Sequence, residues 1–137
     1  MMKNIGILFM ILSLILWADN FVVIANRENI ITTVTREQLK RIYLKKRRFW
    51  GESKLIALNL PADNSLRKSF EYNILRMNHS QLENYWLKQH YKGQRPPYQL
   101  KSVKSVILFV KRVKGAIGYI PASLLDKDVK IIYKSSK

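Results

Sequence analysis

The chain has 137 residues, enough for one domain with a modest core and too few for two. Lysine and arginine number 25 against 9 aspartates and glutamates, a formal charge of +16. That balance favours a polyanionic partner without choosing among nucleic acid, anionic lipid, lipopolysaccharide and a phosphate-bearing ligand. There is no cysteine, and the two histidines, His79 and His90, lack metal-ligand spacing. Disulfides and thiolate metal sites are therefore excluded, a structural zinc is argued against, and no metal or cofactor is expected.

Lys3 precedes the apolar run Ile5–Trp17, which has the length of a signal-peptide core and falls short of the ~20 residues of a spanning helix. Ala18 supplies a small residue at a cleavage point before Asp19, whereas Leu16 suits the site's other small position poorly. Residues 1–18 are accordingly expected to be a signal peptide, with an uncleaved anchor as the alternative and a buried core helix as a weaker one. Residues 19–137 form the domain. Cleavage after Ala18 leaves 16 minus one for Lys3, or +15. The expected destination is a bacterial periplasm.

Phe21–Ala25 is a continuous apolar run rich in β-branched residues and reads as a buried strand. Asn26–Asn29 is turn-like. Thr35 and Gln38 form a capping-box pattern ahead of a helix whose stripe is Leu39, Ile42 and Tyr43. That helix runs into Lys45-Lys46-Arg47-Arg48. Four adjacent cations repel one another and must face solvent, either as a solvated helix end favoured by the dipole or as an anion-attracting rim. Trp50, just beyond, reads as a core plug more readily than as a ligand stacker.

Leu55–Leu60 alternates and ends at Pro61, which predicts a short buried strand. Asp63, Asn64 and Ser65 are all good N-cap types, and Leu66, Phe70, Ile74 and Met77 recur at helical spacing. A strand feeding a polar bend at a helix start can present amides to an anion, and Arg67 and Lys68 stand in the first turn, where the dipole disfavours them. A capped core helix with solvated basic residues explains the same spacing. Ser80 with Glu83 predicts the start of a further helix carrying Leu82, Tyr85 and Trp86 and ending at Lys92-Gly93. His79 then lies between two helices and His90 in the last turn of the second.

Gln94–Gln99 contains the Pro-Pro pair and must be extended. Val103, Val106, Ile107, Val110 and Val113 predict a well-buried helix. Lys114-Gly115 is a stop, Ala116–Ile120 and Val129–Tyr133 read as strands, and the tail as frayed. Roughly four strands alternate with four helices, an α/β domain. No nucleophile triad, metal pair, phosphate-cradling glycine loop or carboxylate pair stands out, so an enzyme is not expected. Cations and aromatics interleave as in single-strand binders, yet no nucleic-acid motif accompanies them, and nucleic acid is an unlikely partner in an exported chain.

The order of these pieces resembles phosphate ABC transporter substrate-binding proteins. Asn26, Thr35, Gln38, Leu39, Ile42, Tyr43 and Trp50 match the stretch in which a strand ending in Asn leads to a helix, a basic segment and a Trp. Ser65, Arg67 and Phe70 match that family's Ser-(…)-Arg-x-x-Phe helix start, Tyr85-Trp86 its "yW" pair, and Gly115–Tyr119 its GAIGY strand. The family's loop carries an Arg ahead of Ser-Gly-Thr; here Pro61 stands about where the Arg would be, and Leu66 and Arg67 where Gly and Thr would be. The resemblance implies a periplasmic-binding-protein-like (type II) fold of the short, single-domain kind. It also implies a small anion such as phosphate as ligand and a membrane transporter as partner. Asn26, Asn64, Ser65 and Arg67 are the candidate ligand-binding residues, with Lys45, Lys46, Arg47 and Arg48 as the basic rim. The alternative is an envelope module whose basic surface meets anionic lipid, cell-wall polymer or an acidic partner protein.

Overall fold

The computed structural model describes residues 20–135; the expected signal peptide lies outside the described residues. Its elements are β1 (Phe21–Asn26), α1 (Arg36–Tyr43), β2 (Phe49–Trp50), β3 (Ser53–Lys54) and β4 (Ile56–Asn59). They continue with α2 (Ser65–Phe70), α3 (His79–Tyr91), β5 (Tyr98–Gln99), α4 (Val103–Arg112), β6 (Ala116–Pro121) and β7 (Val129–Lys134). The fold is mixed α/β. Five strands form one sheet in the order β5-β4-β6-β1-β7, and β2 and β3 make a separate small hairpin. A strand or helix stands at each position where one is expected, but four strands is too low a count. Three two-residue strands join them, each too short to leave a periodic signal.

β4 runs parallel to β5 and β6, whereas β1 is antiparallel to both its neighbours, β6 and β7. All six residues of β1 are buried, because helix α4 and the aromatic core cover its two faces. Continuous apolar character therefore marks two-sided cover here and not parallel pairing. The pairing of β1 with β7 slips between Val23 and Ile24, leaving Ile132 unmatched; its carbonyl instead accepts from the Val34 amide (3.0 Å). This bulge ties the loop ahead of α1 to the sheet edge.

Thr35 and Gln38 make the expected capping box. The next helix departs from expectation. α2 has only six α-helical residues and widens into a π turn over Glu71–Leu75, ending at Arg76 in the left-handed region (φ 53°). A wider turn rotates less per residue, so Leu75, which an unbroken α-helix would set on the face opposite Leu66, reaches the core beside Ile74. The start of α3 is also corrected. Asn78 and Gln81, not Ser80 and Glu83, form the capping box, with Asn78 Oδ1 accepting from the Gln81 amide and Gln81 Oε1 from the Asn78 amide (both 2.9 Å). The helix thus begins two residues earlier with His79 inside it, and Glu83 pairs with His79 (2.8 Å). Asn caps as well as Ser, and Gln reaches back as Glu does.

At the centre, Phe70 stacks on Tyr119 (4.1 Å between ring centroids, 9°) and tilts against Tyr43 (4.6 Å). Tyr43 donates to the Leu58 carbonyl (2.8 Å), and Tyr119 donates to Asn59 Oδ1. Burial pushes both phenols above their ordinary range, so they stay neutral donors. These rings fix the C-terminal end of β4.

Candidate anion-binding site

At that end, the chain leaves β4 through Leu60 and Pro61 and starts α2. Asn64 is the N-cap, and its Oδ1 accepts from both the Leu66 (2.8 Å) and Arg67 (3.1 Å) amides. Arg67 folds back over the bend. Its Nη1 donates to the Leu60 carbonyl (2.8 Å) and to Gln99 Oε1 (3.3 Å), and its Nε pairs with Glu71 Oε2 (3.1 Å). Both partners of that ion pair are about four-fifths buried. Ser65 is exposed beside them. Asn64, Ser65 and Arg67 are therefore brought together, but the cap takes two of the helix's amides and the guanidinium already neutralises a carboxylate.

Asn26 does not join this group. It pairs with Val129, and its neighbour Ala25 pairs with Ile117 near the start of β6, so it stands at the opposite end of the sheet from Leu60. Its buried side chain is fully used: Nδ2 donates to the Val110 (2.8 Å) and Lys111 (3.0 Å) carbonyls, and Oδ1 accepts from the Glu28 amide (2.9 Å). It ties β1 to the last turn of α4.

The basic rim has a different character. Helix α1 ends at Leu44, and Lys45 takes a left-handed conformation (φ 61°). The Lys45 amide donates to the Ile42 carbonyl (3.1 Å) and the Lys46 amide to Arg41 (2.8 Å), the paired bonds of a Schellman end. Helix α3 ends in the same motif, with Gly93 (φ 79°) donating to His90 (3.0 Å) and Gln94 to Gln89 (2.9 Å). Tyr85, from the middle of α3, ties that helix to the end of α1 by donating to the Leu44 carbonyl (2.5 Å).

Between these two helix ends lies a hollow of about 220 Å³. Ile42, Leu55 and Ala57 line it, as do Gly93 and Gln94, and its charged lining is Lys45, Arg47, Arg48, Lys54 and Arg95, with no carboxylate. Arg47 is steadied by donating Nε to the Phe49 carbonyl (3.1 Å) and by lying over the Trp50 ring at 3.8 Å. Partial burial, then the Arg48 and Lys54 charges, lower the Lys45 pKa below an ordinary lysine's. Lys46 turns away, toward the Tyr85 ring (6.0 Å). Three of the four rim residues thus converge. Lys54 is folded back onto them by the β2–β3 hairpin, and Arg95, remote from the run in sequence, joins them from the turn after α3.

A second cleft, of about 420 Å³, adjoins the hollow and shares Gln94 and Arg95 with it. Its charged lining is mixed: Arg67 with Glu71, and His79 with Glu83, alongside His90 and the half-buried Trp86. Among the described residues, no group of histidines and carboxylates could hold a metal ion.

Solved structures share this architecture. An ABC-type phosphate transport receptor from Vibrio cholerae superposes with a TM-score of 0.68 at 23% identity, over 85% of this chain and 46% of that one. A putative phosphate ABC transporter substrate-binding protein with bound phosphate, from Clostridium perfringens, gives 0.69 at 20% identity, over 85% and 45%. PstS from Borrelia burgdorferi gives 0.64 at 20% identity, over 83% and 46%. The fold is theirs. The chain spans less than half the length of each of these structures. No family model and no curated protein matches the chain. Among the described residues, no helix is long and apolar enough to cross a membrane.

Proposed function

We propose that this is an exported, non-enzymatic binding protein for phosphate or a related anion, delivered by its N-terminal signal peptide and working beside a membrane transporter. The observation that carries the reading is the carboxylate-free hollow of Lys45, Arg47, Arg48, Lys54 and Arg95. Like charges gathered around one concavity repel, and an anion between them removes that repulsion while gaining several charge-assisted hydrogen bonds. The shared fold supports the reading, since its neighbours include a phosphate transport receptor and a putative phosphate transporter substrate-binding protein with bound phosphate. Asn64, Ser65 and Arg67 take a secondary part. An anion at their bend would have to compete with Glu71 for Arg67, so the hollow is the stronger seat.

The test is calorimetric titration of phosphate and of sulfate at low salt, with chloride as control. Saturable heat that Arg48→Gln and Lys54→Gln each reduce is the expected result. Heat equal to the chloride control rules out anion binding, and heat unchanged by either substitution moves the seat elsewhere.

A further inference from the structure

The hollow and the cleft beside it meet at Gln94 and Arg95, which line both. A single phosphate carries roughly 1.5–2 negative charges at neutral pH. Five cations around the hollow exceed that, and Arg95 faces the second cavity as well as the first. The exposed Arg95 side chain has no hydrogen bond or ion pair with any described residue. In the cleft, by contrast, Glu71 is held by Arg67 (3.1 Å), which lowers its repulsion of an incoming anion, and Glu83 lies 2.8 Å from the His79 ring.

We propose that the ligand is a linear chain of linked phosphates, of the diphosphate or triphosphate kind. One phosphate sits among Lys45, Arg47, Arg48 and Lys54, and the chain crosses Arg95 into the cleft. Gln94 offers its side-chain amide at the crossing. This rests on the anion-binding reading above and extends it from one phosphate to several. Affinity then grows with chain length because the phosphate beyond the first meets Arg95, a cation with no partner of its own, and Arg95 decides how much it grows.

The experiment titrates orthophosphate, pyrophosphate and tripolyphosphate into the purified protein at fixed salt, comparing wild type with Arg95→Gln and with Lys104→Gln. Lys104 is an exposed cation on α4, away from both cavities. The expected result is at least a tenfold gain from orthophosphate to tripolyphosphate, cut to about threefold or less by Arg95→Gln and untouched by Lys104→Gln. Equal affinity for the three anions overturns the spanning mode while leaving single-phosphate binding intact. Equal losses in the two variants overturn it too, because net charge then accounts for the gain. Absence of heat from every anion overturns both readings. A circular dichroism melt of each variant separates lost binding from lost fold.

Discussion

The two ends of β4 handle positive charge in opposite ways. At the C-terminal end, Arg67 is four-fifths buried, ion-paired with Glu71 and hydrogen-bonded to a carbonyl and an amide side chain. At the N-terminal end, Lys45, Arg48, Lys54 and Arg95 gather without a carboxylate. A buried cation requires a partner, so Arg67 has become part of the scaffold. Cations that stay hydrated can remain unpaired at little cost, and only these are available to an external anion. The contrast teaches that position at a helix start does not leave a cation free for a ligand; lack of a carboxylate partner does.

The comparison is broken or sharpened by substitution. The largest effect is expected from Phe70→Ala, which empties the ring stack behind the closed end and should cost about 3–5 kcal/mol in a denaturant melt. Next, Arg67→Ala strands Glu71 and removes charge-assisted bonds, an expected loss of about 1.5–3 kcal/mol. Phosphate affinity in that variant should stay within twofold of wild type. A tenfold loss there would reverse the contrast between the ends.

Lys45→Gly should act in two directions. The left-handed backbone at this position favours glycine, so stability should rise by about 1 kcal/mol, seen as a higher midpoint of thermal unfolding. Anion affinity should fall at the same time. If both rise, Lys45 is no part of the seat.

The smallest effect is a pH dependence. Burial and neighbouring cations lower the Lys45 pKa, so the unfolded chain holds this proton more tightly than the fold does. Stability should therefore rise slightly as pH climbs from the lowered value toward that of an ordinary lysine. Sulfate does not titrate in this range, and its affinity should fall over the same alkaline window as the ammonium is lost. Lys45→Arg should flatten that fall, which a titration series at constant ionic strength would show.

Much of the fold was legible because it rests on local patterns. The β1 run, the Thr35–Gln38 cap and the stripe of α4 each lie within a few residues. The π turn was not legible, since Leu66, Phe70 and Ile74 fit an ordinary helix and only the burial of Leu75 breaks the period. The capping box of α3 slipped by two residues because two overlapping cap patterns compete there. The site was half legible. The run Lys45–Arg48 announces a rim, but Lys54 and Arg95 reach it through a hairpin and a helix end, and nothing in their neighbourhood foretells that. Asn26 stood out as a strand-end asparagine, yet its donors go to the end of α4, a long-range pairing that no spacing encodes.

The first and last strands also meet at one corner. The Phe21 amide donates to Ser135 Oγ (2.8 Å), and the Ser135 amide donates to the Phe21 carbonyl (3.0 Å). Entry to and exit from the sheet are thus neighbours, hydrogen-bonded to each other. Such a unit can be spliced into a host loop, or its order rearranged by joining these ends and opening it elsewhere, while every core strand keeps its partners.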